Sequence, residues 1–376
     1  MANPLQRLAE YGQSVWYDNI SRAVLRDESL ARLISDGEVH GVTSNPSIFE
    51  KAIGGTSDYD ADIRRLKAEG KAADAIYESL AIGDILAGAD LLRPVFDRTG
   101  GLDGYISLEV APALAGDTRG TVRDALRLRS LLARPNVMIK IPATPAGWPA
   151  IEECTAEGLC INVTMLFALS HYDRVADAYM RGLERRVARG QDIRGIRSVA
   201  SVFVSRFDVL VDGLLEKRLA SAASEAERAR LRALLGRSAL ANARLTYARF
   251  REIFAGPRWK PLADAGGNLQ RPLWASTSTK NPAYRDVLYA EQLIGPDTVD
   301  TMPPQTIDAF REHGEVLRTV DLGLPEARQT IADLRAVGID IEEVGLQLQT
   351  EGVSRFAADF AKMLRELEEK AQRLAD

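Results

Sequence analysis

The sequence predicts an α/β protein folded as a closed (β/α)8 TIM-type barrel, with extra helices inserted between strands. Three observations carry this expectation. Eight short runs rich in Val, Ile and aromatic residues recur along the 376 residues. Longer stretches with apolar residues at helical spacing separate most of them, and such alternation argues for parallel βα units. Several of the runs are apolar without clean alternation, as strands covered on both faces should be. Eight units favour a closed barrel over an open sheet, and one barrel with insertions reaches this chain length.

In chain order the strands are expected at SVWYD (14–18), HGVTS (40–44), YISLEV (105–110), VMIKI (137–141), LCINVT (159–164), SVASVFV (198–204), PLWAS (272–276) and DTVDT (297–301). The first helical stretch, SRAVLRDESLARLIS, carries Val24, Leu25, Leu30, Leu33 and Ile34 on one stripe behind a cap-like Ser21. Further helices are expected over residues 72–96, 117–134 and 170–190. Two intervals, 45–104 and 207–271, are too long for one simple crossover and hold extra helix. They look like insertions on one barrel domain spanning 1–376 rather than separate domains, with a helical tail over 324–376. The charged end of that tail, RELEEKAQRLAD, reads as a solvated helix face rather than a binding arm.

Composition excludes several functions. With 46 % hydrophobic and 27 % charged residues the chain has ordinary globular composition. A net charge of −5 gives no electrostatic case for binding nucleic acid or an anionic membrane. No apolar run approaches a membrane span, and the N-terminus lacks the plan of a signal peptide, so a cytoplasmic protein is expected. Cys154 and Cys160, six apart, read as small buried hydrophobes. With three histidines and no HExxH or Cys/His cluster, no protein-built metal site is expected. No Gly-rich nucleotide loop follows a strand.

Polar residues gather where a barrel places its active site, at the C-terminal ends of the strands. The first strand ends in Asp18 and the second leads to Asn45; the third carries Glu109 and the fourth Lys140. The fifth carries Asn162 and Thr164, the sixth Ser201 followed by Arg206, and the seventh leads to Ser276 and Lys280. Seven such ends suggest one pocket. Each residue also has a plainer reading. Asp18 could cap a helix, and Asn45-Pro46 is a common turn start. Asn162 and Thr164 could merely hydrogen-bond inside the barrel, and Arg206 could pair with an acid.

Lys140 interrupts an apolar run, NVMIKIPAT. Lysine is rarely buried unless paired. A buried lysine must pair or give up its charge, and a neutral amine is the nucleophile that forms a Schiff base with a carbonyl. The plainer alternative is a buried ion pair between Lys140 and Glu109.

Longer segments resemble a known family. GVTSNPSIFEKAI and NVMIKIPATPAGWPAIEECTAEGLCINVTMLFALSHY are similar to the two signatures of the transaldolase family. WASTSTKNPAYRD and DTVDTMPPQTIDAF are similar to later segments of its longer bacterial form, and the resemblance spans about residues 12–365. It implies a barrel of the class I aldolase type and transfer of a dihydroxyacetone unit from sedoheptulose 7-phosphate to glyceraldehyde 3-phosphate. Erythrose 4-phosphate and fructose 6-phosphate would result, as in the non-oxidative pentose phosphate pathway. The partners implied are sugar phosphates alone, with no metal or organic cofactor, in a monomer or homodimer. Lys140 takes the place of the Schiff-base lysine and Asp18 that of the acid assisting carbon–carbon cleavage. Glu109 and Thr164 match the pair that holds a water and shuttles protons, while Asn45 and Asn162 match asparagines bonded to the dihydroxyacetone part. Ser201, Phe203 and Arg206 match a substrate-binding serine, an aromatic residue and a phosphate-binding arginine. At the seventh strand the compact form of the family has a serine and an arginine two apart. Here Ser276-Thr277-Ser278-Thr279-Lys280 stands instead, and the phosphate roles fall to Ser276 and Lys280.

Two rival readings remain. A related Schiff-base lyase would split fructose 6-phosphate and release free dihydroxyacetone; the acid at Asp18 and the long chain favour transfer. A non-catalytic barrel used for binding would keep its function when Lys140 is replaced.

Overall fold

The computed structural model describes residues 2–375. Eight parallel strands close into a barrel in sequence order: β1 (Gln13–Tyr17), β2 (Gly41–Val42), β3 (Ile106–Glu109), β4 (Val137–Pro142), β5 (Ile161–Leu166), β6 (Ser198–Phe203), β7 (Gln270–Ala275) and β8 (Thr298–Met302). All eight expected strands are present, with ends displaced by a few residues. β1 closes the ring by pairing with β8 from Gln13↔Thr298 to Tyr17↔Met302. Every residue of β4 to β8 is buried, which is why those runs read as apolar without alternation.

Close approach sets the outer layer. A side chain at Gly88, in the helix Ala73–Arg98, would meet Ile106 Cδ1 at 2.7 Å, so that glycine lets the helix lie against β3. The stretch after β1 departs from expectation. It forms two helices, Arg22–Arg26 and Ser29–Ser35, not one. The break is local turn chemistry: Glu28 takes φ 63°, and Asp27 Oδ1 accepts from the Ser29 amide at 2.8 Å. Leu30 and Ile34 still reach the core, whereas Val24 and Leu25 are only half-buried. Cys154 and Cys160 are buried free thiols.

The insertion after β2 contributes the helices Pro46–Gly55, Asp60–Ala68 and Ala73–Arg98. That after β6 contributes Ser205–Ser221, Glu225–Arg232, Ser238–Ala255 and Trp259–Asp264. The tail adds to an expectation. Ile341–Ala375 is one helix of 35 residues; Arg365, Glu369, Gln372 and Arg373 form a solvated face near its end, and the opposite face packs on the barrel. Leu348, Phe356, Met363, Leu367 and Ala371 are buried along it, each large side chain contributing roughly 1.5–3 kcal/mol of burial. Even within RELEEKAQRLAD, Lys370 pairs with Asp60 at 2.8 Å and donates to the Ile53 carbonyl at 2.9 Å. Gln349 Nε2 donates to the carbonyls of Ala143 (2.9 Å) and Met165 (3.0 Å), pinning the helix to the ends of β4 and β5. Among the described residues no helix is long and apolar enough to cross a membrane.

Candidate active site

Register brings the central residues together. Glu109 on β3 lies opposite Lys140 on β4, which lies opposite Asn162 on β5. Lys140 is 5 % exposed, and its Nζ donates to the Ser44 carbonyl at 3.1 Å. Glu109 Oε2 stands 3.8 Å from Nζ, too far for a hydrogen bond. The buried ion pair offered as the plainer alternative does form, but as a long contact with no hydrogen bond in it. Glu109 Oε2 and Thr164 Oγ1 are both buried without a hydrogen-bond partner among the described residues. Burial pushes the Glu109 carboxyl up to about 7, against the opposing charge of Lys140. Asn162 is fully buried; its Nδ2 donates to Ser107 Oγ at 3.0 Å and its Oδ1 accepts from Ser201 Oγ at 2.7 Å.

A cavity of about 200 Å³ joins Lys140 and Ser201 to Asp18, Asn45, Phe203, Arg206, Ser276 and Lys280. Asp18 Oδ1 accepts from Thr43 Oγ1 at 2.7 Å, and the Asp18 amide donates to the Met302 carbonyl at 2.9 Å. Burial raises the Asp18 carboxyl above the usual range, outweighing the Thr43 bond and the positive charges of Lys140, Lys280 and Arg206. Such a carboxylate is a better base than an exposed one. Asn45 takes its plainer reading and also faces the cavity. Its Oδ1 caps the helix Pro46–Gly55 by accepting from the Ile48 amide at 3.0 Å, while the residue also lines the cavity.

The other end of the cavity is cationic. Arg206 stacks over Phe203 at 5.4 Å, in the first turn of the helix Ser205–Ser221, whose N-terminus has no side-chain cap. Burial lowers its pKa, as does the charge of Arg355. No carboxylate of a described residue lies within 4.0 Å of Arg206, so the expected alternative of a simple ion pair is absent. Ser276 takes φ 59°, which turns the chain back so that its Oγ meets Ser205 Oγ at 3.0 Å and its carbonyl accepts from the Ser205 amide at 3.1 Å. Lys280 Nζ donates to Ser278 Oγ at 2.7 Å. Two cations with no carboxylate of a described residue within 4.0 Å, hydroxyl groups and a helix N-terminus are groups that suit an anion.

Glu109 lines a different cavity of about 790 Å³, beside Ser44 and Asn45. Thr164 is fully buried, in register with Pro142. The small cavity also takes in Thr43, Ser47, Ser278, Gln305 and Phe356, to which sequence reading gave no role. Thr43, Ser278 and Gln305 sit inside the segments that carry the family resemblance, which is a usable signal. Phe356 comes from the C-terminal helix, where an aromatic residue on an apolar stripe looks like core.

A parallel barrel with a buried lysine between two raised carboxyls, facing a cationic mouth, has the layout of a lysine-dependent enzyme acting on phosphorylated carbonyl compounds. A sequence model described as "Transaldolase/Fructose-6-phosphate aldolase" matches residues 15–367, and the chain belongs to that family. It is 44 % identical to a transaldolase of Trichodesmium erythraeum over 376 residues, covering 100 % of this chain and 99 % of that one. It is 48 % identical to transaldolase 1 of Streptomyces coelicolor over 364 residues, covering 96 % and 93 %. Against the transaldolase of Thiobacillus denitrificans the identity is 43 % over 365 residues, covering 97 % and 99 %.

Proposed function

We infer that the protein is a transaldolase, moving a dihydroxyacetone unit from sedoheptulose 7-phosphate to glyceraldehyde 3-phosphate through a Schiff base on Lys140. The observation that carries the reading is one cavity with Lys140 in its wall and with Arg206 and Lys280, which have no carboxylate of a described residue within 4.0 Å. The relatives, all named transaldolases, support it over release of free dihydroxyacetone.

The chemistry follows from the groups. The Lys140 nitrogen attacks the ketose C2 carbonyl through its lone pair. Glu109, with a pKa of about 7, hands a proton to the carbinolamine oxygen, and water leaves as the iminium forms. Thr164, on β5 across β4 from Glu109, would offer its unpartnered hydroxyl to the same water. Asp18 then accepts the C4 hydroxyl proton while the C3–C4 bond breaks and its electron pair passes to the iminium, giving an enamine and free erythrose 4-phosphate. The enamine attacks the aldehyde of glyceraldehyde 3-phosphate, Asp18 returns the proton, and hydrolysis of the new iminium releases fructose 6-phosphate. Asn45, Asn162 and Ser201 orient the dihydroxyacetone part, and Arg206 with Ser276 and Lys280 holds the phosphate, so remote binding aligns the reacting carbons. The C-terminal helix, with Phe356 in the cavity wall, screens the enamine from bulk water.

Borohydride reduction in the presence of sedoheptulose 7-phosphate should leave a three-carbon adduct on the peptide containing Lys140. Coupled assays should then find fructose 6-phosphate formed in step with erythrose 4-phosphate, and little free dihydroxyacetone. Full activity with no adduct at Lys140 would rule out the mechanism, and dihydroxyacetone as main product would favour the lyase.

A further inference from the structure

One site has to hold phosphates at two depths. The donor of seven carbons carries its phosphate on C7, and the product of six carbons on C6. Both are fixed at C2 to the same Lys140 nitrogen, so their phosphates differ in reach by one carbon–carbon bond, about 1.5 Å. A single rigid cradle fits one of them well and the other poorly.

The mouth of the barrel has two tiers of positive charge. Arg206 is half-buried and stacked on Phe203. Outside it, a cavity of about 1050 Å³ shares Arg206, Ser276 and Lys280 with the inner one and adds the cations Lys51 and Arg355 and the carboxylates Glu351 and Asp359. Lys51 lies one turn beyond Ser47 on the helix Pro46–Gly55, so both occupy the same face, and Ser47 lines both cavities. No carboxylate of a described residue lies within 4.0 Å of the Lys51 ammonium, whereas Arg355 has Asp359 at 3.8 Å. Lys51 is exposed on a long flexible stem that can follow a phosphate outward.

Building on the transaldolase reading, we propose that Lys51 is an added outer phosphate contact of the seven-carbon donor, beyond the Arg206, Ser276 and Lys280 that hold the phosphate of both donors. Lys280, at the junction of the two cavities, touches both. Lys51 is thus a specificity residue for donor length and takes no part in the bond-breaking chemistry.

The test measures borohydride-trapped adduct as a function of donor concentration, for sedoheptulose 7-phosphate and fructose 6-phosphate separately. Lys51→Met should raise the concentration for half-maximal trapping about tenfold with the seven-carbon donor and less than twofold with the six-carbon one. Lys51→Arg should restore most of the difference. Equal weakening for both donors, or no change for either, overturns the proposal. Failure of the unsubstituted protein to trap either donor would instead remove the transaldolase reading itself, and the proposal with it.

Discussion

Two buried charged clusters occupy the same barrel, one at each end, and they are built differently. At the N-terminal end, Arg271 at the start of β7 is 7 % exposed. Its Nη2 donates to Ser14 Oγ at 2.6 Å and to the Thr298 carbonyl at 2.8 Å, and its Nη1 to the Leu102 carbonyl at 3.2 Å. Asp103, at 3.5 Å from Nη1, also accepts from Trp16 Nε1 at 3.0 Å and from Ser14 Oγ. At the C-terminal end, Lys140 is about equally buried but has one carbonyl at 3.1 Å and a carboxylate at 3.8 Å. A guanidinium whose two Nη atoms both meet acceptors, with only Nε left unpartnered among the described residues, is framework. An ammonium with bonds left unmade is available for a ligand.

The sharpest way to break this comparison is to replace each cation with an apolar residue. Lys140→Met should reduce kcat/KM by on the order of 10⁴-fold or more and remove the borohydride adduct, because on the proposed mechanism it takes away the amine that forms the iminium, Lys280 in the same cavity being assigned to the phosphate. Its folded stability should change little, since little coordination is lost. Arg271→Met should do the reverse. It strands Asp103 and should cost about 3–5 kcal/mol of unfolding free energy, with kcat per folded molecule within about twofold of the parent. Chemical denaturation and steady-state kinetics on the same preparations decide both. If Arg271→Met lost turnover while staying folded, or Lys140→Met unfolded, the division of labour between the two ends would be wrong.

The same contrast explains what could be read from the sequence. Strands were legible because burial on both faces demands continuous apolar runs, and Lys140 stood out because it interrupts one. Asn45, Glu109 and Asn162 could be placed because strand ends converge in any barrel, but their roles came from the family resemblance. The break at Asp27–Glu28 was hidden, since a helical stripe continues through it and only a local turn interrupts the backbone. Phe356 was hidden for another reason. It meets Lys140 only in three dimensions, on a helix whose pattern is that of any amphipathic element. Lys51 lies within the segment GVTSNPSIFEKAI, yet nothing in one dimension shows that it faces the outer cavity.

A smaller and more exacting test asks what the upper cluster costs the fold. The Glu109 carboxyl has a pKa of about 7 in the folded protein against an ordinary value of 4.5, because burial disfavours its charge more than Lys140 favours it. Below about pH 4.5 the group is protonated whether the chain is folded or not, and imposes no penalty. As pH rises from there, the unfolded chain ionises first, so stability is lost progressively until the folded carboxyl has also ionised above about pH 7. The full penalty is at most about 3 kcal/mol. Glu109→Gln removes the ionisation and keeps the shape. The stability difference, variant minus parent, should therefore grow in the variant's favour between pH 5 and pH 8 and then level off. A constant offset from depriving Lys140 of its carboxylate neighbour does not alter that slope. Urea unfolding of both proteins at four or five pH values measures it. A flat difference would show that Glu109 is not held against ionisation, and would take away the proton donor assigned to the dehydration step. A rising one, together with slowed adduct formation in the variant, would show that the fold carries a destabilising carboxyl because the chemistry uses it.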